Sequence, residues 1–281
     1  SGGVGPRDIV QTSIPLDESI ATLLATTSGH MAGALVLNCG NLKNLEEHAA
    51  SIFRQRSIPG KKPQVSTLFG SPSFLWALTR RVERMGLDFA DAGLERILTG
   101  GAMVSEDLRR RIADTWGIQL SEGYSMAETP GCLAFWCPEN RYHFVDYSGY
   151  AEVLDPETEE PVAPGQTGVM VITVFYPDRE LMPLLRYWSQ DLVVASGDWT
   201  CPCGVTSTQI LDIVGRVDQM VIVGAKNFYP QVIGDSLLRF PALVMPPRFR
   251  VTTEERGGAP LIILDVELAA ALSADEKDRL R

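Results

Sequence analysis

The chain has 281 residues, a mass of 30.8 kDa and 45% hydrophobic residues, which is enough apolar material for a large buried core. Its formal net charge is -10, from 35 acidic and 25 basic residues, which argues against general affinity for nucleic acid or anionic membranes, because both need a basic surface. With no run of about 18 apolar residues and no signal-peptide pattern, we expect a cytoplasmic protein without a membrane partner.

A segment rich in Gly, Ser and Thr at 26–33 precedes an apolar run at 33–38. The apolar run predicts a short buried strand. The segment before it shares with phosphate-binding loops a Gly-rich turn whose backbone N–H groups can hold a phosphate. It lacks the lysine and the paired Thr-Gly of such loops, and we therefore favour a plain turn from a helix to a strand.

Strands and helices alternate in the next part of the chain. The apolar spacing predicts a helix over 45–56, a strand over 65–70, a helix beginning at Ser71-Pro72, a strand over 94–98, a helix over 106–116 and a strand over 118–120. This alternation is typical of an α/β domain with a largely parallel sheet. Ligands bind such sheets at the carboxyl ends of the strands.

The second half of the chain is rich in predicted strands. Paired strands are predicted at 151–155 and 168–172, and a strand, a turn and a strand over 211–223. A small α+β tail follows, with a helix over 231–239, strands near 248–252 and 261–266 around a turn at Gly257-Gly258, and a helix beginning at Ser273. We place the domain boundary at the turn 216–218, which gives domains of 1–216 and 217–281.

Five short motifs stand out in this frame. Gly100-Gly101-Ala102 follows one predicted strand, and a loop from Glu122 to Glu128 follows the next. The stretch 184–230 then holds three more motifs: Arg186-Tyr187 with Asp191, Cys201-x-Cys203-Gly204, and Gly215-Arg216-x-Asp218. Each motif alone has an ordinary structural interpretation, as a tight turn, a core tyrosine, a solvated acid, or an arginine paired with a nearby aspartate.

In this order the motifs resemble those of the adenylate-forming enzymes, and within them the phenylacetate-CoA ligase branch. The resemblance implies an α/β large domain, with a parallel-rich sheet and a small distorted β-barrel, and part of a small α+β C-terminal lid. It covers nearly all of this chain but only the middle and late part of the family's length. Neither the family's phosphate loop nor its lid lysine is found, so the resemblance implies that pyrophosphate is held poorly.

The resemblance also implies roles for individual residues. Gly100, Gly101 and Ala102 would let the backbone approach an acyl adenylate, Tyr124 would stack on adenine, and Glu128 would hold Mg²⁺. Asp191 would accept hydrogen bonds from the ribose hydroxyls, Arg216 would contact the nucleotide, and Asp218 would be the hinge of the lid. The other positions implied to bind the nucleotide are Glu122, Gly123 and Ser125. Ala127 departs from the family, because it has no hydroxyl to donate to a phosphate.

Four residues have the chemistry of a zinc site. Cys137 and His143 are close in sequence, and Cys201-Pro202-Cys203-Gly204 supplies two more thiols. Three thiolates and one imidazole suit tetrahedral Zn²⁺, and four protein ligands make such a site structural. The alternative is a small core cysteine and a strand histidine.

The reaction implied by the resemblance joins a carboxylic acid to AMP at the expense of ATP, and then passes the acyl group to coenzyme A or a carrier-protein thiol. An aromatic acid is expected as the substrate, with Phe74, Phe135 and Trp136 lining its pocket, and the protein is a possible homodimer. One alternative is a shortened, non-catalytic protein that binds a nucleotide or acyl adenylate and carries a structural zinc. Another is a zinc-knuckle interaction module.

Overall fold

The structure is a computed structural model that describes residues 3–14, 20–129, 131–223, 226–240, 242–244, 247–256 and 259–269. The chain divides into two compact units, Ser1–Val214 and Gly215–Arg281. This division lies two residues before the predicted domain boundary. None of the helices in the described ranges is long and apolar enough to span a bilayer.

The first half of the large unit alternates strands with helices. Its elements are β1 (Ile9–Thr12), α1 (Ile20–Met31), β2 (Leu35–Asn38), α2 (Leu45–Phe53), β3 (Thr67–Gly70), α3 (Pro72–Arg84), a 3-10 turn (Phe89–Ala92), β4 (Arg96–Gly100), α4 (Glu106–Trp116) and β5 (Leu120–Tyr124). The five strands are parallel and lie in the order β2-β1-β3-β4-β5. The predicted α/β domain with a parallel sheet is confirmed.

Side-chain caps start three of these helices. The Asn44 side chain accepts a hydrogen bond from the Glu47 N–H (2.9 Å), Ser71 from the Phe74 N–H, and Ser105 from the Leu108 N–H (3.3 Å). Such caps satisfy N–H groups that the first helical turn leaves unpaired. They begin α3 and α4 close after the carboxyl ends of β3 and β4, where the sheet can bind a ligand.

The second half of the large unit extends the same sheet with antiparallel strands. These are β6 (Ala134–Cys137), β7 (Arg141–Phe144), β8 (Gly149–Leu154), β9 (Thr167–Val174), β10 (Tyr187–Ala195) and β11 (Gln209–Arg216). They continue from β5 in the order β6-β7-β11-β10-β9-β8. The strands expected in a small barrel therefore lie at this end of an eleven-stranded sheet. Their core is an apolar cluster that includes Tyr142, Met170, Ile172, Val193 and Ile210.

The small unit has its own short elements. A 3-10 turn (Val217–Gln219) leads to the antiparallel pair β12 (Val221–Val223) and β13 (Lys226–Phe228), then to α5 (Pro230–Leu237) and to the antiparallel pair β14 (Phe249–Arg256) and β15 (Ala259–Val266). This matches the predicted α+β tail. The predicted Gly257-Gly258 turn and the helix beginning at Ser273 lie outside the described residues.

The segment 26–33 proves to be mostly helical. Residues up to Met31 belong to the end of α1, and only Ala32 and Gly33 form the turn before β2. The C-terminal end of a helix presents carbonyl groups, whereas a phosphate needs N–H groups. The phosphate-loop interpretation is therefore wrong, and the turn from a helix to a strand is confirmed only at Ala32 and Gly33.

Candidate functional site

Two glycines bring the ends of β4 and β5 together. Gly100 lies opposite Gly123 in the parallel register, and a side-chain carbon on Gly100 would come within 2.9 Å of the Gly123 carbonyl oxygen. Gly101 follows with a φ of +80°, in the left-handed region that glycine adopts most readily. The turn 100–102 and the loop after Tyr124 therefore leave the sheet side by side, with Ala102 exposed and Ser125 half-buried.

Tyr124 and Asp191 are joined directly. The Tyr124 hydroxyl donates a hydrogen bond to Asp191 Oδ2, and the Asp191 side chain is nearly inaccessible to solvent. Three strands separate β5 from β10 in the sheet, and neighbouring strands are about 4.8 Å apart. The antiparallel half of the sheet must therefore curl over strongly for these two residues to meet.

A bulge in β10 presents Asp191. Trp188 pairs with Val171 of β9 and Leu192 pairs with Val169, so three residues of β10 face one residue of β9. The Ser189 hydroxyl donates to the Met170 carbonyl (2.7 Å) and accepts from the Asp191 N–H (3.0 Å). A bulge of this kind redirects a side chain, and here it directs a carboxylate towards the end of β5.

Glu128 lies in the exposed loop that follows β5. Its Oε1 accepts a hydrogen bond from the Tyr187 hydroxyl at 3.2 Å, and its backbone carbonyl accepts one from the Arg179 guanidinium. Neither partner was a predicted site residue. Tyr187 is part of the Arg-Tyr motif, which was the available signal, whereas the contact of Arg179 depends on tertiary structure alone.

The side chain of Glu122 has a partner that the sequence did not predict. It is buried and forms an ion pair with Arg109 of α4 at 2.5 Å, and the Tyr142 hydroxyl also bonds to it. Burial raises the pKa of Glu122, while the charge of Arg109 opposes that rise. The Arg109 guanidinium lies 4.1 Å from the centre of the Trp136 ring. Glu122 therefore joins α4 to β5, and its contact with a nucleotide stays a prediction.

The three predicted pocket aromatics do not share a pocket. Phe135 and Trp136 are consecutive in β6, and successive side chains of a strand lie on opposite faces. The Phe135 ring lies 5.6 Å from that of His143, whereas the Trp136 ring lies 4.8 Å from that of Tyr142. Phe74 packs at 4.8 Å against His48 of α2. The prediction of a common aromatic pocket is wrong.

The four predicted metal ligands do come together. One ligand atom from each of Cys137, His143, Cys201 and Cys203 lies within 4.8 Å of the others. The Cys137 and Cys201 sulfur atoms are 3.8 Å apart, and the Cys203 sulfur lies 3.3 Å from His143 Nε2. Zinc–sulfur bonds of about 2.3 Å at a tetrahedral angle place sulfur atoms about 3.8 Å apart. This cysteine cluster therefore has the donor atoms and spacing of a closed tetrahedral site.

The surroundings of the cysteine cluster orient its histidine. His143 Nδ1 lies 3.1 Å from the Ser207 hydroxyl, which leaves Nε2 facing Cys203. Burial and the nearby charge of Arg141 lower the pKa of His143, which favours the neutral imidazole that a metal needs. Burial raises the pKa of Cys137 to about 11. Ser207 was missed, because no spacing in the sequence relates a serine to His143.

Arg216 and Asp218 belong to the small unit. The Arg216 guanidinium forms two hydrogen bonds of 3.0 Å with the Asp218 carboxylate, which lowers the pKa of Asp218. The pair therefore fits the structural interpretation of this motif, an arginine paired with a nearby aspartate. Their predicted roles, in nucleotide contact and as a hinge, stay predictions.

Known proteins resemble this chain over most of its length. Residues 29–174 match the family described as AMP-binding enzyme. A phenylacetate-coenzyme A ligase of Thermus thermophilus is 30% identical over 203 residues, which are 71% of this chain and 44% of the relative. A feruloyl-CoA synthase of an Amycolatopsis species is 27% identical over 259 residues, 84% of this chain and 48% of that relative.

Solved structures share the fold. A crystal structure of 2-hydroxyisobutyryl-CoA ligase in complex with 2-HIB-AMP matches with a TM-score of 0.77 at 22% identity, and covers 99% of this chain and 59% of that chain. An ATP-bound MatB of Rhodopseudomonas palustris matches with a TM-score of 0.66 at 18% identity. The chain spans less than half the length of the two curated relatives named above.

Proposed function

The chain belongs to the family of AMP-binding enzymes, and we propose that it is the nucleotide-binding part of an acid–thiol ligase that activates an aromatic carboxylic acid as its acyl adenylate. The acyl group then passes to a thiol, for which we propose coenzyme A. The relatives whose names end in CoA ligase or CoA synthase support this reaction class.

The observation that carries the proposal is the pairing of Tyr124 with Asp191. Tyr124 ends the parallel strand β5 beside the Gly100-Gly101 turn, at the carboxyl edge where α/β sheets bind nucleotides, and its hydroxyl meets Asp191 of the antiparallel strand β10. A buried carboxylate held by a phenol is a strong acceptor for the two ribose hydroxyls of a nucleotide. The ring of Tyr124 offers a flat apolar surface for adenine, and the backbone at Gly100 and Gly101 admits the close approach of an adenylate.

Glu128 is the residue that would hold Mg²⁺. It fits, because its carboxylate is exposed in the loop after β5, and Mg²⁺ is usually bound by one or two carboxylates together with substrate phosphates. When bound, the ion offsets the charge that builds on the phosphate during adenylation. The residues of this chain bind and orient the nucleotide around it.

An aromatic acid is supported by the names of the relatives and not by a pocket. Phenylacetate and ferulate are the acids in the names of the matched ligases, at moderate identity. Phe135 and Trp136 lie on opposite faces of β6, so the three predicted aromatic residues do not together define the substrate. A carrier-protein thiol as acceptor, a homodimer and a cytoplasmic location stay predictions.

Zinc is proposed as the ion of the cysteine cluster. The four donors, their spacing and the second hydrogen bond of His143 support a closed structural site. The cluster joins β6 and β7 to the segment 201–203. Neither the shortened binding protein nor the zinc-knuckle module is favoured by a specific observation, since the cluster is part of the large sheet.

Calorimetric titration with AMP tests the nucleotide site. We expect binding by the unaltered chain and an affinity about 10- to 100-fold lower for Asp191→Asn, because a charged acceptor of hydrogen bonds is lost. Asp178→Asn, which neutralises an exposed acid, is the control. If Asp191→Asn bound AMP as tightly as the unaltered chain does, the proposed contact of Asp191 with the ribose hydroxyls would be wrong.

The identity of the carboxylic acid substrate is tested separately, by measuring pyrophosphate exchange into ATP with the complete protein. We expect exchange with phenylacetate or ferulate and little with short aliphatic acids. Equal exchange with both classes would overturn the aromatic assignment and leave the nucleotide site standing.

A further inference from the structure

Two hydrogen bonds run in opposite directions between strand β10 and the β5 segment. Tyr124, the last residue of β5, donates its hydroxyl to Asp191 in β10. Tyr187, the first residue of β10, donates its hydroxyl to Glu128 in the loop after β5, at 3.2 Å. Each segment thus supplies one phenol and one carboxylate. We call these four residues the tyrosine–carboxylate pairs.

The donor of the second pair is held firmly. Tyr187 pairs with Ile172 of β9, and the preceding N–H, of Arg186, donates to the Thr173 hydroxyl at 3.0 Å. The Arg186 guanidinium forms an ion pair with Glu152 of β8 at 3.2 Å. The backbone at the start of β10 is therefore held by contacts with β8 and β9, and the Tyr187 hydroxyl extends from it to Glu128 in the exposed loop.

The loop that carries Glu128 has a second tether. The Arg179 guanidinium donates to the Glu128 carbonyl oxygen and, through Nε, to the Met182 carbonyl at 2.8 Å. The backbone of Glu128 is therefore held from one side and its carboxylate from the other. A glutamate held at both ends has lost much of the rotamer freedom that ion binding would otherwise remove.

We propose that Tyr187 is a positioning residue, which fixes the Glu128 carboxylate for a Mg²⁺ ion bound to nucleotide phosphates. This inference rests on the proposed function, since it assumes that Glu128 meets the ion. A hydrogen bond to Oε1 uses part of the accepting capacity of the carboxylate, and the remaining lone pairs can contact a cation. Tyr187 acts through Glu128 and does not itself contact the nucleotide.

The test compares ATP binding by calorimetry in the presence of Mg²⁺ and in EDTA. In Tyr187→Phe only the hydroxyl is removed. We expect its dissociation constant for ATP to rise about 3- to 10-fold with Mg²⁺, because one hydrogen bond to a charged group is lost at a partly exposed site. In EDTA we expect a change of less than about 2-fold. Tyr147→Phe, which removes a hydroxyl from an 85% exposed tyrosine, is the matched control, and we expect no change in either condition.

The outcomes separate the inference from the proposed function. If the unaltered chain binds ATP more tightly with Mg²⁺ and Tyr187→Phe behaves as Tyr147→Phe does, the positioning role is wrong and the nucleotide site stands. If Tyr187→Phe weakens binding equally in Mg²⁺ and in EDTA, the hydroxyl only holds the loop, which also overturns the inference. If the unaltered chain binds neither ATP nor AMP, both proposals fail. Thermal unfolding of each variant identifies any loss of fold.

Discussion

Asp8 is a buried acid that four groups hold in its charged form. It accepts hydrogen bonds from the Gly5 N–H (2.7 Å), the Ser66 hydroxyl (2.8 Å) and Lys62 (2.7 Å), and Arg96 lies at 3.4 Å. Burial alone would raise the pKa of Asp8, but the bonds from Lys62, Gly5 and Ser66 outweigh it and lower the pKa to about 2. A folded-state pKa below the unfolded value stabilises the fold above the unfolded pKa, and this stability is lost as the pH falls towards 2.

We therefore predict that Asp8→Asn lowers the free energy of unfolding at pH 7 by about 2 kcal/mol. The difference between the two proteins should shrink as the pH falls from about 5 towards 3, because the unaltered Asp8 then loses its advantage. Urea unfolding at pH 7, 5 and 3 measures this. Asp178→Asn serves as an exposed control. A constant difference at all three values would contradict the role of the Asp8 charge.

At the scale of single residues, the sequence was informative where the chemistry of a side chain is distinctive. The three thiols and one imidazole of the cysteine cluster were predicted together, because few other roles explain their spacing. Tyr124 and Asp191 were identified by resemblance, and nothing in the residues alone indicates that they meet. The ion pair of Glu122 with Arg109 was not predicted, because Arg109 lies on a helix and no spacing relates the two.

The elements differ in how well their patterns could be recognised. Helix α4 was predicted with both ends correct, because Ser105 caps its start and Gly117, with a φ of +65°, ends it. Helix α1 was not given bounds: its sequence, IATLLATTSGHM, contains three Thr and one Gly, which are weak helix formers. Packing stabilises it instead. Thr22 bonds to the Ile14 carbonyl, and Gly29 lies close against Val36 of β2.

Strand β10 was missed because its bulge breaks the alternation of side chains. Ser189 and Asp191 are buried polar residues inside it, and Gln190 has a φ of +69°. A pattern based on two-residue alternation does not recognise such a strand. Strand β6 was missed as well, which explains the wrong aromatic pocket. Had Phe135 and Trp136 been placed on a strand, they would have been assigned to opposite faces.

The cysteine cluster is predicted to stabilise the antiparallel elements that it joins. We expect about one zinc ion per chain, and a melting temperature at least about 10 °C lower after removal of the ion by a chelator, because structural zinc contributes on the order of 10 kcal/mol in small peptides. Cys203→Ser should likewise lose the zinc ion and melt at a lower temperature. Cys39→Ser, which changes a thiol outside the cluster, is the control. A chain that melts at the same temperature with and without chelator, and carries no zinc, would contradict the proposal.

On the scale of the whole molecule, the residues proposed to bind the nucleotide are unevenly divided between the two units. Gly100, Gly101, Tyr124, Glu128 and Asp191 all belong to the large unit, as do the four members of the cysteine cluster. Only Arg216 lies in the small unit. The large unit also holds the eleven-stranded sheet and nearly all of the fully buried apolar side chains among the described residues. Its fold and its proposed binding site thus depend on the same set of contacts.

Residues 1–216, which keep strand β11 complete, should therefore fold without the small unit and bind AMP. We expect a cooperative thermal transition, retention of zinc, and a dissociation constant for AMP within about threefold of that of the whole chain, a difference of less than about 1 kcal/mol. Calorimetric titration of both proteins with AMP measures this. Arg216 is retained in residues 1–216, so the Arg216→Ala variant of the whole chain measures the contribution of that side chain separately. Weakening by more than about tenfold in residues 1–216 would mean that residues 217–281 contribute to the nucleotide site.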